Sequence, residues 1–387
     1  MTRKVCVVIT ARPSYSRVRT ALEAIRDHPD LELQLVVAAS ALLDRYGGAI
    51  KVIESDGFKV DRTVYMIVEG ENLVTSAKST GFGLAELATV FDDLKPDMVI
   101  TIADRYETIA TSIAAAYMNI PLVHLQGGEV TGSIDEKTRH ANTKLADVHL
   151  VCCESAHKRV QLLGERPERI FLTGCPSIDL ARQALEADPA DISAIVGRYA
   201  GVGPGIDVTQ PYVVVMQHPV TTEHDQSRAQ AEALIDAVEA ADKPTLWFWP
   251  NVDAGSDGTS KALRVAREHG KLRRTHFYRN MQPLDFLKVL IGSRGIIGNS
   301  SVALRECAYL GVPAVNIGTR QQGRDRGRNV VDVGYGSDDI AAAIERMWTL
   351  SERPRDFIYG DGFAGRRIAE VLATADLSIE KMLTYSW

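Results

Sequence analysis

Short apolar runs alternate along the chain with longer stretches in which apolar residues recur every three or four positions. The short runs predict strands, and the longer stretches predict amphipathic helices. Strands of the first half are predicted over residues 5–10, 33–39, 98–102, 122–125, 149–153 and 170–173. Helices are predicted over residues 16–27, 84–94 and 106–119. Because strands and helices alternate, the sequence predicts an α/β fold with parallel sheets.

A break at Gly174-Cys175-Pro176-Ser177 is followed by a helical stretch at residues 178–185 and then by a second α/β run. Its strands are predicted over residues 212–216, 245–248, 275–278, 295–298 and 314–316. Its helices are predicted over residues 226–240, 261–269, 283–291 and 302–310. The two halves predict two similar doubly wound domains that face each other, and the cleft between them is the expected site.

The length and composition agree with two globular domains. A chain of 387 residues is longer than one hydrophobic core usually organises. We expect an N-terminal domain over residues 1–176, a C-terminal domain over residues 177–362, and a last helix within residues 363–387 that packs back onto the N-terminal domain.

The charge pattern limits the classes of binding partner, and the cysteines indicate the cellular compartment. The net charge is −6 and no Lys/Arg-rich block occurs, which argues against a nucleic-acid or anionic-membrane partner. No apolar run approaches membrane-spanning length. The five cysteines form an odd set without CxxC spacing, so reduced thiols in a cytoplasmic protein are expected, without a metal site.

Three carboxylates follow the predicted strand at residues 122–125. Glu129, Asp135 and Glu136 lie within eight residues of a Gly-rich turn, and Arg139-His140 follows at once. The carboxyl ends of parallel strands are where open α/β sheets bind ligands. Neighbouring acids at such a place are expected to divide acid and base roles. His140 and the strand residue His149 are more simply structural.

Asp104 follows the predicted strand at residues 98–102 and stands just before the next predicted helix. Taken alone, it would be an ordinary helix cap. Since Glu129 leaves the neighbouring strand at the same edge, we expect both carboxylates to reach one crevice.

Two segments favour anion binding. Arg12, Ser16 and Arg17 follow the first strand and open a helix, where free N–H groups attract anions. Gly298, Ser300 and Ser301 end a strand of the second half, where backbone amides and hydroxyls are expected to hold a diphosphate. A solvent-facing turn and a double-serine cap are the alternative interpretations.

Glu306, one turn into the helix after Ser301, is placed to accept from ribose hydroxyls. Arg320 follows the next strand in a basic segment.

The strand ends of the second half carry further polar groups. His218 follows the strand at residues 212–216, where it is expected to assist a diphosphate or a leaving group. Asn251 and Asp253 follow the next strand. A histidine that hydrogen-bonds a loop is the alternative.

These motifs, taken in order, resemble the hydrolysing UDP-N-acetylglucosamine 2-epimerases, both the bacterial enzymes and the epimerase domain of the bifunctional animal enzyme. The resemblance covers almost the whole chain. The matching segments include Asp104-Arg105, Gly127-Gly128-Glu129-Val130, Ser133-Ile134-Asp135, Arg139-His140, Gln217-His218-Pro219-Val220-Thr221-Thr222, Pro250-Asn251-Val252-Asp253, Gly298-Asn299-Ser300-Ser301 and Gly318-Thr319-Arg320-Gln321.

The resemblance implies two Rossmann-like domains of the glycosyltransferase-B type, with no metal and no cofactor. It implies that UDP-N-acetylglucosamine and water give N-acetylmannosamine and UDP. A base removes the C2 proton, UDP leaves by anti elimination to give 2-acetamidoglucal, and water adds at C1. The N-terminal domain would supply the acids and the sugar side, and the C-terminal domain would bind UDP. A cytoplasmic homodimer or homotetramer is expected.

The resemblance also implies residue roles. The proton and water chemistry falls to Asp104, Glu129 and the Asp135/Glu136 pair, and His218 assists the departing diphosphate. Phosphate, ribose, uracil and cleft contacts fall to Arg12, Ser16, Arg17, Arg105, Asn251, Asp253, Arg279, Asn280, Met281, Gly298, Ser300, Ser301, Glu306 and Arg320. Of these, Arg279-Asn280-Met281 matches the segment that reads uracil through its backbone.

Two departures from the family pattern lie on the sugar side. Ser14 stands where family members commonly have Asp, and Ala41 stands where some carry His. UDP-N,N'-diacetylbacillosamine is therefore the main alternative substrate. A non-hydrolysing 2-epimerase, a glycosyltransferase of the same architecture and a non-enzymatic nucleotide-sugar sensor are the alternative classes.

Overall fold

The computed structural model describes residues 2–44, 47–70, 72–103, 105–130, 135–188, 191–250 and 256–384. The strands are β1 Arg3–Ile9, β2 Leu31–Ala38, β3 Arg62–Val64, β4 Met98–Ile102, β5 Leu122–Leu125, β6 Val148–Val151, β7 Ile170–Leu172, β8 Gly201–Val202, β9 Val213–Met216, β10 Thr245–Phe248, β11 Thr275–Tyr278, β12 Ile296–Gly298, β13 Ala314–Ile317 and β14 Val330–Val333. The α-helices are α1 Arg12–Asp27, α2 Ala49–Ser55, α3 Leu73–Leu94, α4 Thr108–Tyr117, α5 Asp135–Leu145, α6 Glu154–Leu162, α7 Pro176–Glu186, α8 Ile192–Gly197, α9 Ser227–Ala241, α10 Ser256–Glu268, α11 Pro283–Gly292, α12 Glu306–Leu310, α13 Ser337–Thr349 and α14 Ala364–Thr374.

The chain divides into two compact units. The first comprises Met1–Glu129, Ile134–Asp179 and Tyr359–Trp387, and the second comprises Val130–Ser133 and Leu180–Ile358. Each unit contains one seven-stranded sheet. The predicted α/β class with two doubly wound sheets is confirmed, whereas the functional division of the chain stays a prediction.

The sheet of the first unit is wholly parallel, in the order β3-β2-β1-β4-β5-β6-β7. Successive residues of β1 enter opposite cores. Val5, Val7 and Ile9 pack with α1 and α14, and Cys6 and Val8 pack with α3 and α4. Because both faces of β1 are buried, its apolar run is uninterrupted in the sequence.

The sheet of the second unit has the order β14-β13-β12-β9-β10-β11-β8, and among its described strands only β8 is antiparallel to its neighbour. Val213 and Val215 of β9 pack in a core with residues of α9, α10 and α13. In each sheet the strand order reverses beside the unit's first parallel strand. The first reversal lies between β1 and β4, and the second lies between β9 and β12.

Some predicted bounds were wrong. Helix α1 begins at Arg12 rather than at residue 16, because Pro13 is tolerated in a first helical turn. Helix α3 begins at Leu73 rather than at residue 84. Its Gly- and Ser-rich first half has low helix propensity, but Asn72 and Thr75 form a reciprocal capping box.

The last helix is held at both ends within the first unit. The Asp179 carboxylate accepts hydrogen bonds from the amides of Ala364 and Gly365, at 2.8 and 2.7 Å. At the other end, Arg3 Nη1 donates to the carbonyls of Leu372 and Ala375, both at 2.9 Å. An anion at the N-terminus and a cation at the C-terminus both complement the helix dipole. In the described part of the chain, no helix has the length and apolar character that a membrane crossing needs.

The segment after α14 is attached to the sheet edge through buried Glu165. The Glu165 carboxylate accepts from Lys144 Nζ at 2.6 Å and pairs with His149 Nε2 at 3.0 Å and with Lys381. Burial opposes ionisation of this carboxyl, but the hydrogen bonds from His149, Lys144 and Lys381 outweigh burial and lower the pKa of Glu165 to about 2. The ion cluster thereby joins β6, α5 and the C-terminal segment.

We predict that Glu165→Gln lowers the free energy of unfolding by roughly 2–4 kcal/mol at pH 7, because three cationic or polar groups lose a buried carboxylate. The folded pKa of about 2 lies below the ordinary value of 4.5, so this stabilisation is present above about pH 4.5 and is lost as the pH falls towards 2. Denaturant unfolding at a series of pH values measures it. The exposed Glu168→Gln is the matched control, and equal unfolding curves for both variants would contradict the prediction.

Candidate functional site

In the first unit, the start of α1 follows β1 at the reversal of strand order. The residue before the helix, Ala11, gives no side-chain cap, and the first turn contains no acidic residue. Arg12 and Arg17 are half-buried there, and the Ser16 hydroxyl donates to the Arg12 carbonyl at 3.3 Å. A helix start with uncapped amides and nearby arginines suits an anion. The two sugar-side departures are both buried, and Ala41 packs in the hydrophobic core.

The turn after β4 is fixed by buried side chains from β5 and α5. Ala103 has a left-handed backbone, with φ of 59°. Its carbonyl accepts from His124 Nε2 at 2.9 Å and from Asn142 Nδ2 at 3.5 Å. The other ring nitrogen, His124 Nδ1, lies 3.0 Å from the Thr143 hydroxyl. The predicted acid Asp104 follows this turn and lies outside the described residues.

Arg105 and Glu107 continue the same turn. Arg105 Nε donates to Glu107 Oε1 at 2.7 Å, and Glu107 is only 1% exposed. Sequence reasoning placed Arg105 in the site but gave no role to Glu107. An acid three residues after Asp104, at the start of a predicted helix, is the signal that was available in the sequence.

Glu129 is 5% exposed, and two arginines hold the backbone on either side of it. Arg139 Nη1 donates to the Glu129 carbonyl at 3.0 Å, and Arg159 Nη1 donates to the Gly128 carbonyl at 3.1 Å. Arg139 is itself buried. The turn that carries the predicted acid is therefore fixed by charge-assisted hydrogen bonds.

Asp135 and Glu136 begin α5. Glu136 Oε1 pairs with Arg139 Nη1 at 3.0 Å, and Glu136 Oε2 pairs with His140 Nε2 at 3.2 Å. Both oxygens of Glu136 thus contact basic side chains of the following turn of α5. His140 and His149 pair with Glu136 and Glu165, as a structural role requires.

In the second unit, the fully buried Asn299 joins the loops after β9 and β12. Its Oδ1 accepts from the His218 amide at 2.8 Å, and its Nδ2 donates to the His218 carbonyl at 2.7 Å. The preceding residue, Gly298, has φ of 134°, and a Cβ there would lie 2.1 Å from the Met216 carbonyl oxygen. The close approach of β12 and β9 therefore requires glycine at this position.

His218 is 6% exposed beside this junction. Burial, and then the charge of Arg320, lower the pKa of His218 to about 3. The imidazole is therefore neutral at pH 7. Arg320 Nη1 donates to the Asn299 carbonyl at 3.1 Å, which keeps the guanidinium beside the loops after β9 and β12.

The segment after Asn299 differs from its prediction. A 3-10 turn over Ser301–Ala303 and the short helix α12 replace the single helix predicted over residues 302–310, so Glu306 begins a helix instead of lying one turn inside one. Ser300 caps the 3-10 turn, accepting from the Val302 amide at 3.4 Å, and the Ser301 hydroxyl accepts from Arg305 Nη2 at 2.9 Å. The dipole argument for this segment is weaker than predicted, because α12 has only five residues.

Glu306 is 7% exposed. Its Oε2 is buried and has no hydrogen-bond partner among the described residues, and Arg305 Nε lies 3.9 Å away. Buried polar atoms in proteins are normally hydrogen-bonded, so such an oxygen suits a ligand hydroxyl.

The remaining predicted positions follow β10 and β11 in the sequence. Arg279 and Asn280 are exposed directly after β11, and Met281 is buried. Asn251 and Asp253, predicted after β10, lie outside the described residues. Among the side chains that the structure describes, no group of three or more His, Cys, Asp or Glu residues could hold a metal ion.

Comparisons with known proteins cover nearly the whole chain. Residues 23–373 match the family model for UDP-N-acetylglucosamine 2-epimerase. The polysialic acid biosynthesis protein P7 of Escherichia coli is 31% identical over 345 residues, which cover 88% of this chain and 85% of that protein. The UDP-N,N'-diacetylbacillosamine 2-epimerase (hydrolyzing) of Legionella pneumophila is 29% identical over 377 residues and 97% of both chains.

The fold is also shared with solved structures. The crystal structure of UDP-GlcNAc 2-epimerase from Neisseria meningitidis, bound to UDP-GlcNAc, gives a TM-score of 0.79 at 18% identity, over 95% of this chain and 99% of that one. This likeness confirms the predicted fold class.

We predict that the His218 imidazole stays neutral down to the lowest pH at which the protein remains folded, and that Arg320→Gln raises its pKa towards the ordinary value of 6.5 because a neighbouring cation is removed. NMR titration of the histidine ring carbons measures both values, with His218→Gln to assign the signal. A wild-type His218 that titrates near pH 6.5 would contradict the buried placement.

Proposed function

Because the chain belongs to the UDP-N-acetylglucosamine 2-epimerase family, we propose that it is a hydrolysing 2-epimerase that converts UDP-N-acetylglucosamine and water to N-acetylmannosamine and UDP. The observation that carries this proposal is the buried Glu129, whose backbone is fixed by Arg139 and Arg159 beside the acidic start of α5. A chain that only bound a nucleotide sugar would have no need of a fixed, desolvated carboxylate in this position.

The proposed reaction has two steps. A carboxylate takes the C2 proton, the C1–O bond breaks, and UDP leaves with the bonding electrons to give 2-acetamidoglucal. A water oxygen then adds to C1 while C2 receives a proton on the opposite face, which gives N-acetylmannosamine. We assign the proton transfers to Asp104, Glu129 and Asp135.

The family resemblance gave proton and water chemistry to Asp135 and Glu136 as a pair. We assign Glu136 a different role. Since its two oxygens are paired with Arg139 and His140, we assign it to holding Arg139, which in turn holds the Glu129 backbone.

We assign UDP binding to the second unit. His218 would donate a hydrogen bond to the diphosphate, together with Arg320, Ser300, Ser301 and the backbone after Gly298. The buried Oε2 of Glu306 would accept from a ribose hydroxyl, which supplies the partner that this oxygen lacks within the described residues. The segment Arg279-Asn280-Met281 would read uracil, and Asn251 and Asp253 would line the site. The remaining anion contacts are assigned to Arg12, Ser16, Arg17 and Arg105.

A second candidate substrate is UDP-N,N'-diacetylbacillosamine. The relative in Legionella pneumophila carries that activity in its name and matches 97% of this chain. The sugar-side departures at Ser14 and Ala41 favour a sugar that differs from N-acetylglucosamine, although both side chains are buried. The chemistry at C1 and C2 would be unchanged.

We predict that incubation with UDP-N-acetylglucosamine in deuterated water gives free N-acetylmannosamine with deuterium at C2, with or without a metal chelator, since the assigned phosphate ligands are arginines, hydroxyls and amides. Mass spectrometry and NMR of the products measure it, with UDP-N,N'-diacetylbacillosamine in a parallel reaction. A deuterated UDP-sugar would indicate the non-hydrolysing reaction, transfer to an added acceptor would indicate a glycosyltransferase, and no turnover of either substrate would leave a sensor.

We predict that Glu129→Gln and Asp135→Asn each lower the rate by roughly 10²–10⁴-fold, the usual contribution of a general acid or base, with little change in UDP affinity. The matched control Glu136→Gln should lose less activity and should lower thermal stability, because it removes the ion pair with Arg139 and weakens the contact with His140. Steady-state kinetics, calorimetry with UDP and thermal unfolding measure these effects. Equal rate losses for all three variants at wild-type stability would contradict the separate assignments.

A further inference from the structure

Glu223 lies in the loop after β9 and contacts the loop after β13. It belongs to a 3-10 segment, Thr221–Gln226, that is kinked at Glu223 itself. Its carboxylate accepts from the Thr319 hydroxyl, from Gln230 Nε2 at 2.7 Å and from the Tyr335 hydroxyl at 3.0 Å. Three donors from three different segments thus meet on one carboxylate.

The Tyr335 ring fixes the loop that carries Thr319. Gly318 has φ of 72°, and a Cβ at this position would lie 2.1 Å from the Tyr335 ring. The ring therefore packs directly against the backbone of the loop. The Tyr335 hydroxyl then reaches the same Glu223 carboxylate as Thr319, so the loop is held by packing and by hydrogen bonds together.

These contacts close a ring with the Asn299 junction. Arg320, the next residue after Thr319, donates to the Asn299 carbonyl at 3.1 Å, and Gln321 Nε2 donates to the same carbonyl at 2.8 Å. The Asn299 side chain holds the His218 backbone, and His218 belongs to the loop that continues to Glu223. The loops after β9, β12 and β13 therefore form one closed hydrogen-bonded ring.

The charge of Glu223 suits this arrangement. Burial opposes its ionisation, but the hydrogen bonds from Thr319, Gln230 and Tyr335 outweigh burial and lower the pKa of Glu223. The group is therefore an acceptor-only carboxylate at neutral pH, which matches a site with three donors. A Gln side chain would turn an N–H group towards at least one of these donors.

We propose that Glu223 is a positioning residue of the diphosphate site: through Thr319 it holds the loop after β13, so that Arg320 stays against Asn299 and beside His218. Glu223 contacts neither phosphate nor sugar in this proposal, which rests on the proposed function for the identity of the ligand. A loop that is ordered before the ligand arrives does not have to be ordered on binding, which strengthens binding without a new contact.

Paired substitutions of Thr319 test the proposal. Thr319→Val removes the hydroxyl at nearly constant volume, and Thr319→Ser keeps it. We expect Thr319→Val and Glu223→Gln each to weaken UDP binding by about tenfold, the effect of losing one charge-assisted hydrogen bond. Thr319→Ser should bind UDP with wild-type affinity. The double variant Thr319→Val/Glu223→Gln should bind UDP no more weakly than the single variant with the lower affinity, because both changes break the same contact. Glu232→Gln, which removes an exposed carboxylate paired with Arg228 on α9, is the control.

A second readout needs no ligand. If the loop loosens, Arg320 moves away and water reaches His218, so the pKa of His218 should rise in Thr319→Val and Glu223→Gln but not in Thr319→Ser or Glu232→Gln. NMR titration measures this. An unchanged His218 titration in Thr319→Val and Glu223→Gln would overturn the proposal.

Unchanged UDP affinity in Thr319→Val and Glu223→Gln, beside a wild type that binds UDP, would also overturn the positioning role and leave the proposed function standing. A wild type that binds no UDP would overturn the proposed function instead, and the His218 titration would still decide whether Glu223 holds the loop.

Discussion

The loops of the second unit depend on two hydrogen bonds of the Asn299 carboxamide. Its oxygen accepts from the His218 amide and its nitrogen donates to the His218 carbonyl, at the place where the strand order of the sheet reverses. An Asp side chain at this position has no hydrogen to give to the His218 carbonyl, and a Ser side chain is too short to reach both groups. The Asn299 carbonyl in turn anchors Arg320 and Gln321. Each loop of the second unit that the proposed function assigns to the diphosphate is thereby held by one buried residue.

In the first unit, a second buried asparagine fixes the backbone of a turn after a strand. Asn142 of α5 donates to the Thr108 hydroxyl at 2.8 Å and, with His124, satisfies the carbonyl of Ala103 in its left-handed turn. Ser112 of α4 donates to Asn142 Oδ1 at 2.7 Å. In both units a buried carboxamide fixes the turn after a central strand, because a parallel sheet leaves the backbone groups at its carboxyl edge without ladder partners. The side chains on these turns that are proposed to contact a substrate are therefore held firmly relative to the sheet.

Much of this fold can be predicted from the sequence because the interior strands are buried on both faces. Val5–Ile9 and Val213–Met216 are therefore continuous apolar runs that need no alignment to find. The edge strands β3 and β14 were missed, since exposed residues such as Arg62 and Asp332 interrupt their apolar pattern. The positions of Glu129 and His218 after strand ends could be predicted for the same reason as the strands, whereas their roles stay predictions. The pairing of Glu136, and the contact between Glu223 and a residue 96 positions away, depend on loop geometry that no local pattern carries. The placement of Asp104, Asn251 and Asp253 stays a prediction.

The neutral state of His218 has a consequence for the proposed reaction. Burial and the charge of Arg320 keep the proton off the imidazole before a ligand binds. A bound diphosphate would offset the charge of Arg320 and favour the protonated ring, so the substrate itself would supply the condition under which His218 carries a proton. Cleavage of the C1–O bond places further negative charge on the leaving phosphate and draws that proton to it. When UDP departs, the cause of protonation departs as well, and His218 returns to the neutral form. The low pKa leaves His218 without its acidic proton in the free protein, so that it would deliver a proton only when a diphosphate is present.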